Sequence, residues 1–145
     1  MTSALQVVAA GGIGMIQDLG RAGMQRFGVP VSGALDSVSL RIANAVVGNP
    51  DGTAALEVFY QGPTLEIEAE SVRVASVGAP LEVLAGARRR AVPSGRSVLL
   101  RRGERLAVGG VSWSVAVCTW ALSPLIFASI SGAGNFRKGG LFCRV

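Results

Sequence analysis

The sequence predicts a mainly β domain with one clear helix, and three observations carry that reading. Short segments alternate apolar and polar residues, as half-buried strands do. Gly- and Pro-bearing turns separate them at close spacing. A single run has helical periodicity with a cap at each end. Composition agrees: half of the 145 residues are hydrophobic, 16% are charged, aromatics are scarce and Gly numbers 20. A chain of this length can bury roughly 68–70% of its unfolded surface, so it can form a packed core.

From the N-terminus, Leu5 to Ala9 reads as a short strand. Gly11, Gly12 and Gly14 are expected to form a turn, and 10–35 an ordered, glycine-punctuated loop with short extended pieces. Asp36 is a suitable N-cap for Ser37–Val47. Leu40, Ala43 and Val47 fall on one face of that helix, with Ile42 and Val46 beside them. Gly48 suits the left-handed residue after the helix, and Pro50 prevents its continuation. Strands are then expected at 55–60, 64–69, 72–77, 81–84, 97–100 and 105–108. In 64–69 the acids Glu66 and Glu68 alternate with apolar residues. Such a series suggests a small barrel or sandwich with one packed helix.

Composition excludes several chemistries. With no His, there is no His general base, no Ser-His or Cys-His nucleophile and no His metal ligand. Cys118 and Cys143 are too few for a zinc or iron–sulfur site, so no metal is expected. Met1–Ala10 lacks the basic start and apolar run of a signal peptide, which makes the expected location cytoplasmic.

The formal charge of +5 is unevenly spread. All nine acids lie at or before Glu104, whereas both Trp, both Cys, the only Lys and three of five Phe lie beyond residue 110. Residues 1–110 carry 11 Arg against nine acids, a charge of about +2, which gives no case for a nucleic-acid partner. Arg88-Arg89-Arg90 is open to two readings, an anion contact or a solvated hairpin tip between two turns. No aromatic interleaves it to stack a base.

Other motifs carry similar alternatives. Gly11-Gly12-Ile13-Gly14 lacks the Lys-Ser/Thr of a phosphate loop and reads as a turn. Gln17-Asp18-Leu19-Gly20-Arg21 and Ser32-Gly33-Ala34-Leu35-Asp36 each place an Asp and small residues in irregular backbone. Such loops can hold a substrate through backbone N–H groups and a guanidinium. Equally, Asp18 and Arg21 could order the loop, and Asp36 could simply cap the helix. Glu57 stands in an apolar strand, either as a catalytic carboxylate or as an outward-facing or Arg-paired one.

Taken in order, 17–21, Phe27-Gly28-Val29-Pro30, 32–36, Ala43–Pro50, Ala55-Leu56-Glu57-Val58 and Gly62-Pro63 resemble the biotin-dependent carboxyltransferase-domain family, also called allophanate hydrolase subunit 2. The resemblance spans 11–63 and extends to about Gly110. It implies a cyclophilin-like β-barrel that is the N-terminal half of a two-barrel domain, with the substrate pocket where the halves meet. The family includes one subunit of the ATP-dependent 5-oxoprolinase, an enzyme that opens 5-oxoproline to glutamate. It also includes the carboxyltransferase part of urea carboxylase, with biotin as cofactor, and a non-enzymatic antagonist of a sporulation-kinase inhibitor. The implied partners are a second, cyclophilin-like subunit and, in the oxoprolinase, a third subunit; ATP serves the assembled complex. Carried over by motif, the substrate-binding candidates are Gln17, Asp18, Arg21, Ser32, Asp36 and Asn49, with Arg21 holding a carboxylate. No catalytic base or nucleophile is assigned.

Beyond residue 110 the pattern departs from the family's Gly-x-Arg-x-Tyr-Leu segment. Codons for Val115–Ala121, shifted to begin at each third base, accommodate Gly-Arg-Val-Tyr-Leu-Gly. Residues 111–145 are therefore read as an atypical, out-of-frame tail, which requires an open alternative frame after codon 110. A rival reading makes the uncharged run Trp113–Ile130 a membrane helix, although Pro124 and its Ser and Thr residues disfavour it.

Overall fold

The computed structural model describes residues 5–108, 118–122, 130–132 and 137–138. The strands are β1 (Leu5–Ala9), β2 (Ile13–Gln17), β3 (Ala55–Phe59), β4 (Thr64–Ile67), β5 (Ser71–Val77), β6 (Leu81–Ala85), β7 (Arg88–Val92), β8 (Ser97–Arg101), β9 (Arg105–Val108), β10 (Cys118–Leu122), β11 (Ile130–Gly132) and β12 (Arg137–Lys138). One helix, α1 (Ser37–Val47), lies between β2 and β3, and a single 3-10 turn spans Gln25–Phe27. Among the described residues the chain adopts the expected β class with one helix.

The strands form two six-stranded sheets, ordered β11-β1-β4-β9-β6-β7 and β12-β2-β3-β10-β5-β8. Pairing is antiparallel except for β1 with β11 and β2 with β12. Period-2 alternation sends one side chain set of each sheet into a shared core. Leu5, Val7, Leu65, Ile67, Leu81, Val83 and Leu106 come from the first sheet, and Leu56, Val58, Val72, Val74, Val98 and Leu100 from the second. Glu66, on the opposite face of β4, meets Arg105 of β9 at 2.7 Å.

The second sheet is covered on its other face as well. There α1 packs Ala43 and Val47 against Ala75, with Val46 and Val77 alongside. Burial on both faces explains why β3 (Ala-Leu-Glu-Val-Phe) reads as an almost continuous apolar run rather than an alternating one. Ile42, placed beside the buried face by periodicity, is 45% exposed.

Asp36 caps α1 as expected. Its Oδ1 accepts from the Val38 and Ser39 N–H groups at 3.1 and 3.0 Å, and the Ser39 hydroxyl donates to Oδ2 at 2.6 Å. Gly48 takes the left-handed conformation at the other end. The Ser39 hydroxyl and backbone bonds hold the Asp36 carboxyl below its usual value of 3.8. A lowered value means the stabilisation is present above pH 3.8 and is lost as pH falls through the folded value. Asp36→Ala is therefore expected to cost about 1 kcal/mol at neutral pH. In urea titrations the gap from wild type should close at pH values below 3.8.

Three expectations are corrected. Gly14 lies inside β2, not in a turn, while β2 itself is one of the short extended pieces expected within 10–35. Arg88-Arg89-Arg90 is not a hairpin tip. It is most of β7, paired with β6 in the register Arg88↔Ala85, Arg89↔Leu84 and Arg90↔Val83. Three identical side chains hide the alternation that would mark a strand; only Val92 reaches the core. Among the described residues β7 is a sheet edge, where a row of guanidinium groups repels an incoming strand. The exposed Arg89–Glu82 pair at 3.2 Å adds little stability.

The third correction concerns the rival membrane reading of Trp113–Ile130. Residues 118–122 within it form β10, hydrogen-bonded between β3 and β5 and not helical. Among the described residues no helix is long and apolar enough to cross a membrane. Apart from β10, β11 and β12, the segment 111–145 lies outside the described residues.

Candidate functional site

Gln17, Asp18, Arg21, Ser32 and Asp36 fall on the loop between β2 and α1 and its two ends, where two stretches of irregular backbone cross. The Arg21 N–H donates to the Val31 carbonyl at 2.9 Å, and the Ala34 N–H donates to the Asp18 carbonyl at 2.8 Å. Asp18 Oδ1 accepts from the Gly20 N–H at 2.7 Å, closing the local turn. The contact requires glycine on both sides. A Cβ on Gly33 (φ +90) would sit 2.6 Å from the Gly20 nitrogen, and one on Gly20 (φ +77) would sit 2.4 Å from the Val31 carbonyl oxygen.

This crossing gathers Asp18, Arg21 and Ser32, with Gln17 at its entrance and Asp36 at its exit. Arg21 and Ser32 are exposed, and Ser32 has φ 55, uncommon for a residue with a side chain. Gln17 is 8% exposed, and its side-chain amide lies 3.9 Å from the Met15 sulfur. Asp36 spends its carboxylate on the helix cap. Asn49 is not brought to the crossing. It lies past the far end of α1, about 16 Å along an 11-residue helix. There it donates to Asn44 Oδ1 at 3.0 Å, while Asn44 donates to the Thr53 carbonyl at 2.7 Å. That pair anchors the connection from α1 to β3.

Glu57 is the residue that sequence reasoning did not place. It is 1% exposed, neither outward-facing nor paired with an Arg among the described residues. Its carboxylate accepts the Leu35 N–H at 2.9 and 3.2 Å and the Asp36 N–H at 3.4 Å. An acid within an apolar strand was the available signal; its partners, 21 and 22 residues away, were not visible in the sequence.

Two cavities, of about 500 and 620 Å³, flank the β6–β7 hairpin, lined among others by Arg89 and Arg105 and by Arg88 and Arg90. None of the six motif candidates lines either. Among the described residues no group of three or more His, Cys, Asp or Glu side chains could hold a metal ion.

Known proteins share this architecture. A 5-oxoprolinase subunit of Escherichia coli is 36% identical, aligned over 94% of this chain and 44% of its own length. The urea amidolyase of Saccharomyces cerevisiae is 37% identical over 74% of this chain and 6% of that protein. Among solved structures, Kluyveromyces lactis urea amidolyase superposes with a TM-score of 0.73 and 32% identity, over 83% of this chain and 7% of that one. The urea carboxylase of the same yeast gives 0.72 and 34%, over 83% and 10%. The chain thus spans less than half the length of each of these relatives. The model of the family described as carboxyltransferase domain, subdomain A and B, matches residues 27–122, from the loop through α1 to β10, and the chain belongs to that family.

Proposed function

We propose that this chain is a subunit, or part of a subunit, of an ATP-dependent 5-oxoprolinase-type amide hydrolase, without activity on its own. The observation that carries the proposal is the alignment with the Escherichia coli 5-oxoprolinase subunit over 94% of this chain. The Haemophilus influenzae counterpart of that subunit adds support at 45% identity over 53 residues. In this reading the exposed Arg21 guanidinium holds the carboxylate of 5-oxoproline, as a fork of donors suits a carboxylate. Asp18 and Ser32 line the same crossing and contribute to binding. Gln17 stands at its entrance, Asp36 caps the helix that leaves it, and Asn49 ties down the far end of that helix. The remaining part of the pocket comes from polypeptide outside this chain, and ATP, a cyclophilin-like second subunit and a third subunit complete the enzyme.

A second reading, a biotin-dependent carboxyltransferase acting on urea, is favoured by 39% identity with the putative urea carboxylase of Emericella nidulans over 74% of this chain. Co-expression with the two other oxoprolinase subunits separates the readings. ATP-dependent release of glutamate from 5-oxoproline, lost when this chain is omitted, is the expected result. Carboxyl transfer from carboxybiotin to urea without glutamate release would replace the first reading by the second. Binding to the cyclophilin-like subunit with neither activity would point to a regulator.

A further inference from the structure

Glu57 is a buried carboxylate whose partners, among the described residues, are backbone N–H groups. Burying such a charge is costly unless donors satisfy it, so its presence in the middle of β3 has to be accounted for. The acceptors of Glu57 meet the N–H groups of Leu35 and Asp36, at the start of α1, where the helix dipole also favours a negative charge. A carboxyl group is thereby built into the chain at the position where the loop joins the helix. We propose that Glu57 is a positioning residue: its carboxylate clamps the 32–36 segment to the sheet, so that Ser32 is presented to ligand in one fixed conformation.

The geometry supports this from both sides of the segment. On one side the Ala34 N–H is held by the Asp18 carbonyl; on the other, Leu35 and Asp36 are held by Glu57. Three consecutive backbone N–H groups are thus held, one by the loop and two by the sheet. The Leu35 backbone is held in this way while its side chain is 70% exposed. A carboxylate suits this clamp better than an amide. Both oxygens accept from one N–H, at 2.9 and 3.2 Å, and an amide NH₂ in either place would face a donor.

The proposal rests on the reading that the crossing is the ligand site, and the test separates the two. In full-length E57Q, amide exchange at Leu35 and Asp36 is expected to accelerate roughly ten- to hundredfold, the equivalent of losing a hydrogen bond to a charged acceptor. Exchange at Val72 and Val74 in the core of β5 should stay at the wild-type rate. In the assembled enzyme the same variant should raise KM for 5-oxoproline more than it lowers kcat. Wild-type exchange at Leu35 and Asp36 overturns the proposal, and so does a uniform rise at all four amides or a failure to fold, which would make Glu57 a support of the whole fold. Absence of turnover by the wild-type assembly, with the expected exchange pattern, overturns the oxoprolinase reading and leaves the clamp standing.

Discussion

Leu106→Ala is expected to lower stability by about 2–5 kcal/mol. Leu106 is fully buried in β9, between Leu65 of β4 and Val83 of β6 in the sheet register. All three belong to the shared core, so truncation removes apolar contact and leaves a cavity in the middle of the first sheet. Urea denaturation should show the loss as a lower midpoint with an unchanged slope. Leu99→Ala is the internal comparison. Leu99 is 44% exposed on β8, and its replacement should cost no more than about 0.5 kcal/mol. Equal losses at the two positions would contradict the assignment of the core.

Gly33→Ala is the second large effect. The left-handed backbone alone costs a non-glycine residue about 1–3 kcal/mol. At Gly33 the new Cβ would also lie 2.6 Å from the Gly20 nitrogen and 2.8 Å from the Asp18 carbonyl oxygen. Those atoms are backbone and cannot swing aside, so the two segments must separate. The expected result is loss of the Ala34–Asp18 and Arg21–Val31 hydrogen bonds and faster proteolysis within 18–35. Gly28→Ala tests the steric component. Gly28 has φ +76 but nothing within 4 Å of a Cβ, so it should cost only the backbone strain and leave the crossing intact. If the two variants behave alike, close approach at Gly33 is not what holds the loop.

Local signals made much of the fold legible. Asp36 and Gly48 bracket α1 because both act on neighbouring residues: one accepts from N–H groups two and three positions on, and the other adopts a conformation open to glycine. Strands with one face in the core and one in solvent showed themselves by alternation, as at Thr64–Ile67. In β3 burial on both faces removed the alternation, leaving an apolar run, and in β7 three successive Arg hid it. Thus Glu57 in β3 was open to opposite interpretations, and Arg88–Arg90 resembled a solvated tip.

By itself the sequence determined the β class, the capped helix, the lack of any His among these 145 residues and the motif order that resembles the carboxyltransferase-domain family. These depend on composition and on interactions spanning a few residues. Only the tertiary structure decided that Asp18, Arg21 and Ser32 meet at a glycine crossing while Asn49 ties down the other end of α1. It alone showed that Glu57 faces backbone N–H groups more than 20 residues away. The reason is physical. A carboxylate buried by a helix and a loop on one sheet face takes its role from whatever those elements bring to it, and sequence spacing carries no record of that distance.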